Sequence, residues 1–366
     1  MKVKIDKHSL VNSVAAVSKA VPGHTTMPIL TCVLVTADSE GITLMSNDME
    51  MAISARVDGE VIEGGEVAVD AKLFLDIVKK LPDESILIDT DDAFQTTIKC
   101  GKTKIKLAGR DGSEFPRLPE VDVLDEVTIS QFTLKEVIRQ TIFSVAENDT
   151  NKVMTGELFE IDGDKMKVTS LDGHRISIRN VDLRSSYEPV SVIVPGKVLA
   201  EMNKIISGEA NADVTIEFSK AHIIFRFDNM TVLSRLIEGK YFDVAKMINM
   251  SHETTVRVNR RDLIDAIDRA SLLVREGDRK PIIMDISHHN IELSVTTAIG
   301  SMHDTLDAVQ NGNDIKIGFN PKFVNEALKA IDEDEVTLYL ISKTNPCVIK
   351  DDGYFYLILP VQFGGK

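Results

Sequence analysis

The sequence predicts an α+β protein of three similar domains, each holding two strand–helix–strands units. Three observations support this: a strand-to-helix pattern occurs six times, its copies recur at nearly constant spacing, and strand-like segments outnumber helical ones. Repetition at a fixed period indicates one structural unit copied along the chain. Many short strands with few helices favour antiparallel sheets and the α+β class.

Each unit opens with a short strand of alternating apolar residues that ends at a helix-start residue. Asp, Ser and Asn oxygens accept from the free amides of a first helical turn, and Pro fits a helix start. Helix starts are therefore predicted at Asp6, Ser130 and Asn259 in one series, and at Asp70, Pro195 and Asn320 in a second. The second series is spaced by 125 residues twice.

After each start residue the apolar period changes from two to about 3.6, which predicts an amphipathic helix. The predicted helices span 7–20, 71–81, 131–147, 195–206, 259–275 and 320–331. In the second series the residues predicted to be buried are Leu73, Phe74, Ile77 and Val78, then Val198, Leu199, Met202 and Ile205, then Phe323, Val324, Leu328 and Ile331. Strands separated by turn signals at 38–41, 162–164 and 351–353 follow the helices.

The repeat register also predicts the domain boundaries. A chain of 366 residues exceeds what one hydrophobic core usually organises. A Pro-containing segment at 114–119 closes the first copy, and residues 241–243 occupy the matching place in the second. Domains are therefore expected at 1–124, 125–250 and 251–366.

The beginning of the chain and its cysteines predict a cytoplasmic protein. Residues 1–10 alternate charged with apolar residues and lack the apolar core of a signal peptide. No window approaches the roughly 20 apolar residues that span a bilayer. Cys32, Cys100 and Cys347 are far apart and form no CxxC pair, so reduced thiols are expected, with no disulfide framework and no metal site.

The distribution of charge suggests a nucleic-acid partner despite a net charge of −15. All but one of the predicted helices carry more Lys and Arg than Asp and Glu. If equivalent helix faces point the same way, they form a basic wall that follows phosphates without reading bases, while the acidic remainder repels DNA. The residues expected on this wall are Lys19, Lys79, Lys80, Arg139, Lys197, Lys204, Arg260, Arg269, Lys322 and Lys329. Each surplus taken alone is more typical of a solvated helix face.

Over its whole length the chain resembles the bacterial DNA polymerase III beta subunit family, the beta sliding clamps. The resemblance lies in segments 27–30 (MPIL), 46–50 (SNDME), 114–116 (EFP), 156–160 (GELFE), 171–175 (LDGHR) and 356–361 (YLILPV). It implies a head-to-tail homodimer whose six domains close a ring around duplex DNA, with helices lining the pore and antiparallel sheets outside. It also implies an ATP-driven clamp loader, tethering of polymerase subunits and repair proteins, no cofactor and no enzymatic activity.

The resemblance further implies a pocket for a partner's clamp-binding peptide. Its matching positions are Met154, Leu171, Gly173, His174, Arg175, Ile176, Phe242, Lys246, Met247, Phe323, Asn345, Pro346, Cys347, Leu357, Leu359, Pro360 and Val361. An apolar slot with Arg175 and Lys246 at its rim suits an extended apolar peptide, and methionines make it adaptable.

Several positions depart from the family pattern or belong to other surfaces. Lys246 replaces an arginine, Phe242 a common proline, and Gly364-Gly365-Lys366 extends the end. His24 stands where a DNA-contacting arginine is frequent. The subunit contact implied by the resemblance includes Lys72, Phe74 and Ile105 on one chain and Leu272 and Leu273 on the other; Leu272 and Leu273 are equally well explained as core.

An enzyme is the competing hypothesis for segment 172–175. Asp172 beside His174 resembles a base with its orienting carboxylate, or two metal ligands. However, Asp48 occupies the same repeat position without a histidine, so both aspartates are expected to bond backbone amides. His288 and His289 are adjacent, which in a strand would point them to opposite faces. The other alternative is a repeat-built scaffold that binds only proteins, and the basic helices distinguish the clamp from it.

Overall fold

The computed structural model describes residues 1–117, 119–148, 151–248, 250–274, 280–287 and 289–363, with only the backbone of Lys246. The helices are α1 (Lys7–Val17), α2 (Ala71–Lys80), α3 (Gln131–Thr141), α4 (Gly196–Ile205), α5 (Ala245–Ile248), α6 (Arg260–Ser271) and α7 (Pro321–Lys329). Short 3-10 turns span Ser18–Ala20, Pro28–Thr31, Gly112–Glu114, Ile142–Ser144 and Lys152–Thr155.

The strands are β1 (Lys2–Ile5), β2 (Cys32–Asp38), β3 (Gly41–Asn47), β4 (Met51–Val57), β5 (Gly59–Glu63), β6 (Gly65–Asp70), β7 (Ile86–Thr90), β8 (Gln95–Cys100), β9 (Thr103–Ala108), β10 (Arg110–Asp111), β11 (Asp125–Ser130), β12 (Gly156–Leu171), β13 (Arg175–Pro195), β14 (Asp213–Phe218), β15 (His222–Phe227), β16 (Met230–Arg235), β17 (Thr254–Asn259), β18 (Ile282–Ser287), β19 (Asn290–Thr297), β20 (Gly300–Asn311), β21 (Ile315–Phe319), β22 (Glu335–Leu340), β23 (Cys347–Lys350) and β24 (Tyr354–Ile358). All the strand pairs that the structure describes are antiparallel, which confirms the predicted class.

Five of the six predicted helix starts are confirmed by their caps, and α4 begins at Gly196, directly after Pro195. The side chains of Asp6, Asp70, Asn259 and Asn320 each accept a hydrogen bond from an amide of the first turn that follows, at 2.8–3.0 Å. Ser130 Oγ accepts from the amide of Thr133 at 3.1 Å. These bonds satisfy donors that a helix start otherwise leaves without partners.

The helix predictions are wrong at three ends and at one buried position. The helices predicted over 7–20 and 259–275 end at Val17 and Ser271. The helix predicted over 131–147 ends at Thr141, and residues 142–144 continue as a 3-10 turn. Leu73, predicted to be buried, is 50% exposed, because the buried stripe of α2 runs through Ala71, Phe74 and Val78. These three positions share one face at helical spacing, and Leu73 lies beside it.

The first of two compact units contains residues 1–135 and 197–236. One of its sheets has the order β5-β1-β7-β8-β9, and a nine-stranded sheet has the order β10-β6-β2-β3-β4-β16-β15-β14-β11. In the larger sheet β4 pairs with β16, Ile53 lying opposite Val232. A continuous sheet therefore joins strands from the first and second predicted domains.

The second unit contains residues 136–196 and 237–366. Its ten strands follow the order β12-β13-β24-β23-β22-β17-β20-β19-β18-β21. Here β13 pairs with β24, Ile176 lying opposite Leu357, so strands from the second and third predicted domains share a sheet. Both sheets contain strands from either side of a predicted boundary, near 124 or near 250, and neither unit begins or ends at these positions. The domain boundaries therefore stay a prediction.

The turn predictions are confirmed at 38–41 and 351–353, which connect β2 to β3 and β23 to β24. The third is wrong: residues 162–164 do not end a strand but form an irregularity inside β12, where Gly163 has φ +60°. His289, also at positive φ, lies in the turn before β19 and not within a strand; His288 is outside the described residues. Across the described ranges, no helix has the length and apolar character needed to cross a membrane.

Candidate functional site

The loop between β12 and β13 is held by Asp172. Its Oδ1 accepts from the amides of His174 at 2.9 Å and Arg175 at 3.1 Å, which confirms the expected structural role. Asp48 binds the amides of Glu50 at 3.0 Å and Met51 at 2.7 Å in the same way. The two loops therefore share one geometry, and their aspartates act on the backbone.

Arg175 lies beneath this loop and not at a solvent-exposed rim. Its side chain is 6% exposed, its Nε donates to Asp172 Oδ2 at 2.9 Å, and its Nη1 forms an ion pair with Glu326. The guanidinium carbon lies 4.4 Å from the ring centroid of Phe323. Arg175 thus fixes the loop and α7 to one another, since a buried guanidinium is stable only when its donors have partners.

The described end of the chain runs beside the same loop. The amide of Leu359 donates to the carbonyl of His174 at 2.8 Å, and the amide of Val361 donates to that of Gly318 at 2.8 Å. His174 stacks on Phe323 with ring centroids 5.9 Å apart. The expected pocket residues of the loop, α7 and the C-terminal segment are therefore neighbours in one unit.

The apolar part of the predicted pocket is also assembled. Leu171, Ile176 and Leu357 belong to one buried cluster, with Met154 packed against it. Phe242, Met247 and Leu359 are exposed large apolar side chains in the same unit. Buried and exposed apolar residues of the predicted pocket thus belong to the same unit, a composition that suits an extended apolar segment.

Some predicted pocket residues do not contribute as expected. Cys347 is 3% exposed and belongs to the core that includes Leu340 and Tyr356, where burial raises the pKa of its thiol to about 12. It therefore belongs to the core and offers almost no surface to a peptide. Asn345 and Pro346 are half-buried, and Pro360 follows the last strand. The side chain of Lys246 and residues 364–366 lie outside the described residues.

The predicted DNA-facing cations divide into two groups. Carboxylates or carbonyls already pair with Lys197 (Asp48), Lys204 (Glu201), Arg139 (Glu136 and Asp332), Arg260 (the Glu333 carbonyl), Arg269 (Asp304), Lys322 (Glu147) and Lys329 (Asp268). The pairing with Arg269 holds the pKa of Asp304 below its usual value. By contrast, Lys19, Lys79 and Lys80 are exposed and have no carboxylate partner among the described side chains; His24 is exposed in a loop. Among these predicted cations, Lys19, Lys79 and Lys80 of the first unit therefore have no carboxylate partner in the described part of the chain, and neither does Arg260, which is bonded by carbonyls alone.

The predicted subunit-contact residues also differ from one another in their exposure. Phe74 is buried in the first unit, which corrects the expectation that it contacts a partner. Lys72 is exposed and Ile105 half-buried on β9. Leu272 is 81% exposed, whereas Leu273 packs partly against the core, so the structure distinguishes two leucines that the sequence could not.

Glu326 is a site residue that sequence reasoning missed. It lies on α7, and its ion pair with Arg175 connects residues 151 positions apart. Its only sequence signal was its place on the helix that also supplies Phe323. Phe143, whose ring centroid lies 5.5 Å from the same guanidinium, was also missed, because only the fold brings it near Arg175.

Solved structures with this architecture define the class as the sliding-clamp fold. The clamp of Bacillus subtilis superimposes with a TM-score of 0.93 at 31% identity, covering 100% of both chains. A DNA polymerase III beta subunit homologue from Eubacterium rectale gives a TM-score of 0.95 at 52% identity, covering 99% of both chains. A three-domain clamp fold with mixed helices and sheets is therefore shown.

Family profiles and a curated relative identify the family. The N-terminal, central and C-terminal domains of the DNA polymerase III beta subunit match residues 1–119, 128–243 and 246–362. The beta sliding clamp of Staphylococcus epidermidis is 36% identical over 376 aligned positions, covering 99% of both proteins. This chain belongs to the DNA polymerase III beta subunit family.

Proposed function

We propose that this chain acts as a DNA sliding clamp, a cytoplasmic processivity factor without catalytic activity of its own. It encircles duplex DNA without sequence specificity and tethers a replicative polymerase and other DNA-processing proteins. The observation that supports this most strongly is the succession of three clamp-domain matches along nearly the whole chain. That succession favours a clamp over a scaffold that binds only proteins.

Ring closure by a head-to-tail homodimer is supported by open sheet edges. Within the described strands, β9 ends its sheet, and residues 300–307 of β20 pair with β19 on one side only. Unpaired strand edges favour association with another strand. The exposed Leu272 supplies an apolar contact in the unit that contains β20. We place the three domains at 1–124, 125–250 and 251–366.

Partner binding is assigned to the surface formed by His174, Phe323, Leu359 and their neighbours. Its apolar composition suits the peptide of a polymerase subunit, clamp loader or repair protein. A clamp of Pseudomonas aeruginosa, 25% identical to this chain, has been solved bound to griselimycin. That complex supports ligand binding by a protein of the same fold.

Removing the free lysines of α2 should weaken DNA binding more than removing paired ones. Each lysine that no longer neutralises a phosphate is expected to reduce the slope of log affinity against log salt by about 0.9, so Lys79→Ala with Lys80→Ala should reduce it by about 2. Fluorescence anisotropy with a short duplex measures this slope. Lys197→Ala with Lys204→Ala is the matched control, because ion pairs already neutralise both lysines. Equal effects would mean that phosphates compete effectively with those carboxylates.

Retention on circular DNA tests the proposed function. After loading onto a nicked circle, the protein is expected to stay with DNA through gel filtration at physiological salt. Linearisation should release it, because non-specific dissociation constants of about 10⁻⁴–10⁻⁶ M are too weak for retention without enclosure. Equal retention on circular and linear DNA would show that affinity holds the protein and would contradict the clamp.

A further inference from the structure

The first unit contains a cavity that the clamp function leaves unused. It has a volume of about 220 Å³ and lies where the loop between β3 and β4 meets β15 and β16. Met51, Ala52 and Leu233, all buried, supply apolar walls. This volume is below the about 300–1,000 Å³ of pockets that enclose whole small molecules, so it fits one or two side chains. We call it the first-repeat cavity.

The first-repeat cavity occupies the place in its unit that the candidate peptide pocket occupies in the other. Both loops are closed by an aspartate, Asp48 or Asp172, that accepts from two following amides. The amide of Arg235 donates to the carbonyl of Glu50 at 3.0 Å, as the amide of Leu359 does to that of His174 at 2.8 Å. The same backbone framework is thus built twice and presents different side chains.

Met49 stands at the mouth of the cavity in a strained conformation. Its φ is +76°, close to the +83° of Gly173 at the matching position of the other loop. A non-glycine residue there costs conformational energy, and such strain concentrates at functional sites. The Met49 side chain is 52% exposed, so the strain is not offset by burial. An exposed methionine gives an adaptable apolar contact.

The rim of the cavity carries both signs of charge, since Glu50 lines it together with Arg235 and Arg117. Arg235 and His222 lie opposite one another on β16 and β15, and both line the cavity. Arg117 also lines it but is neutralised by Glu66 at 2.5 Å. Arg235 is exposed and pairs with no carboxylate among the described residues. A guanidinium beside an apolar cavity is complementary to a carboxylate next to an apolar side chain.

We propose that the first-repeat cavity is a second peptide-binding site, for an extended partner segment in which an apolar residue adjoins an acidic one. The apolar side chain enters between Met49, Met51 and Leu233, and the carboxylate pairs with Arg235. Met51 replaces Arg175 at the matching position, so the two sites have different preferences. The proposal builds on the peptide binding proposed for the second unit but concerns separate residues.

Titration calorimetry with an octapeptide of alternating leucine and aspartate tests the second site. The whole chain is expected to bind two peptides, and a His174→Ala, Leu359→Asp variant should keep one. Adding Met49→Gly and Arg235→Glu should weaken that remaining site at least about tenfold, the effect of removing one charge-assisted hydrogen bond. Lys220→Glu, an exposed charge reversal in the same unit outside the cavity lining, is the matched control and should change the affinity less than about twofold.

Two results would overturn the second site. One is the absence of binding in the His174→Ala, Leu359→Asp variant, and the other is unchanged affinity after Met49→Gly and Arg235→Glu are added. Circular-dichroism melting of each variant verifies that it folds. If His174→Ala with Leu359→Asp leaves the titration unchanged while the cavity substitutions abolish binding, the pocket proposed for the second unit fails and the first-repeat cavity stands.

Discussion

Replacing Arg175 with alanine is expected to lower the free energy of unfolding by about 3–5 kcal/mol, the range for removing one partner of a buried ion pair. The change leaves the carboxylates of Asp172 and Glu326 without their guanidinium. It also removes the cation stacked over Phe323, whose ring supports His174. Urea denaturation at neutral pH, with the slope compared between variants, measures the loss.

The loss of stability should come from the carboxylates of Asp172 and Glu326 that are left without a cation. Adding Glu326→Gln to Arg175→Met is expected to recover about 0.5–3 kcal/mol relative to Arg175→Met alone, the range of coupling between contacting residues. His174→Ala changes an exposed neighbour and should alter stability by no more than about 0.5 kcal/mol. An Arg175→Ala variant as stable as His174→Ala would show that water readily replaces the guanidinium. Loss of peptide binding after Arg175→Ala therefore does not locate the peptide contact, for which His174 and Leu359 are the better probes.

The repeat could be predicted because local chemistry determines it. Asp6, Asp70, Asn259 and Asn320 cap their helices through side chains within three residues of the amides they bind. Asp172 could be assigned to the backbone because Asp48 holds the same position without a histidine. Interactions between residues close in sequence produce a local sequence pattern, and its sixfold repetition makes the pattern recognisable.

What could not be predicted depends on contacts distant in sequence. Arg175 was expected at a rim, but its partner Glu326 comes from a helix that only the fold brings near. The ten basic helix residues looked equivalent, yet Lys197 and Arg269 are neutralised by Asp48 and Asp304 from other elements. Helical periodicity indicates which residues share a face; it does not show which carboxylates that face meets.

Glu157 is a second buried ionisable side chain, and it is expected to make the free energy of unfolding depend on pH. It is fully buried on β12, and its Oε2 accepts from Thr141 Oγ1 at 2.9 Å. Burial raises the pKa of this carboxyl from 4.5 to about 8, a rise that the Thr141 hydrogen bond partly opposes. Burial, followed by the charge of Glu157, also raises the pKa of Tyr241.

A carboxyl with a raised pKa destabilises the folded state as pH increases. Below about pH 4.5 both states are protonated, so the stabilisation is fully present; between pH 4.5 and 8 only the folded state retains the proton, and stability falls by at most about 1.4 kcal/mol per pH unit. Glu157→Gln removes this titration. The free energy of unfolding of the variant minus that of the wild type should therefore increase from pH 5 to 8 and level off above.

Denaturation series at several pH values measure this difference, and Glu160→Gln is the matched control. Glu160 lies on the same strand but pairs with Lys167 near the surface at 2.6 Å, so its replacement should give a nearly constant difference over the same range. A constant difference for Glu157→Gln as well would mean that the buried carboxyl is ionised throughout and is compensated by partners other than Thr141. Because β12 also ends at the Asp172 loop, ionisation of Glu157 in the folded protein acts on the strand that positions the candidate peptide pocket, so peptide affinity should weaken only as the pH rises through about 8.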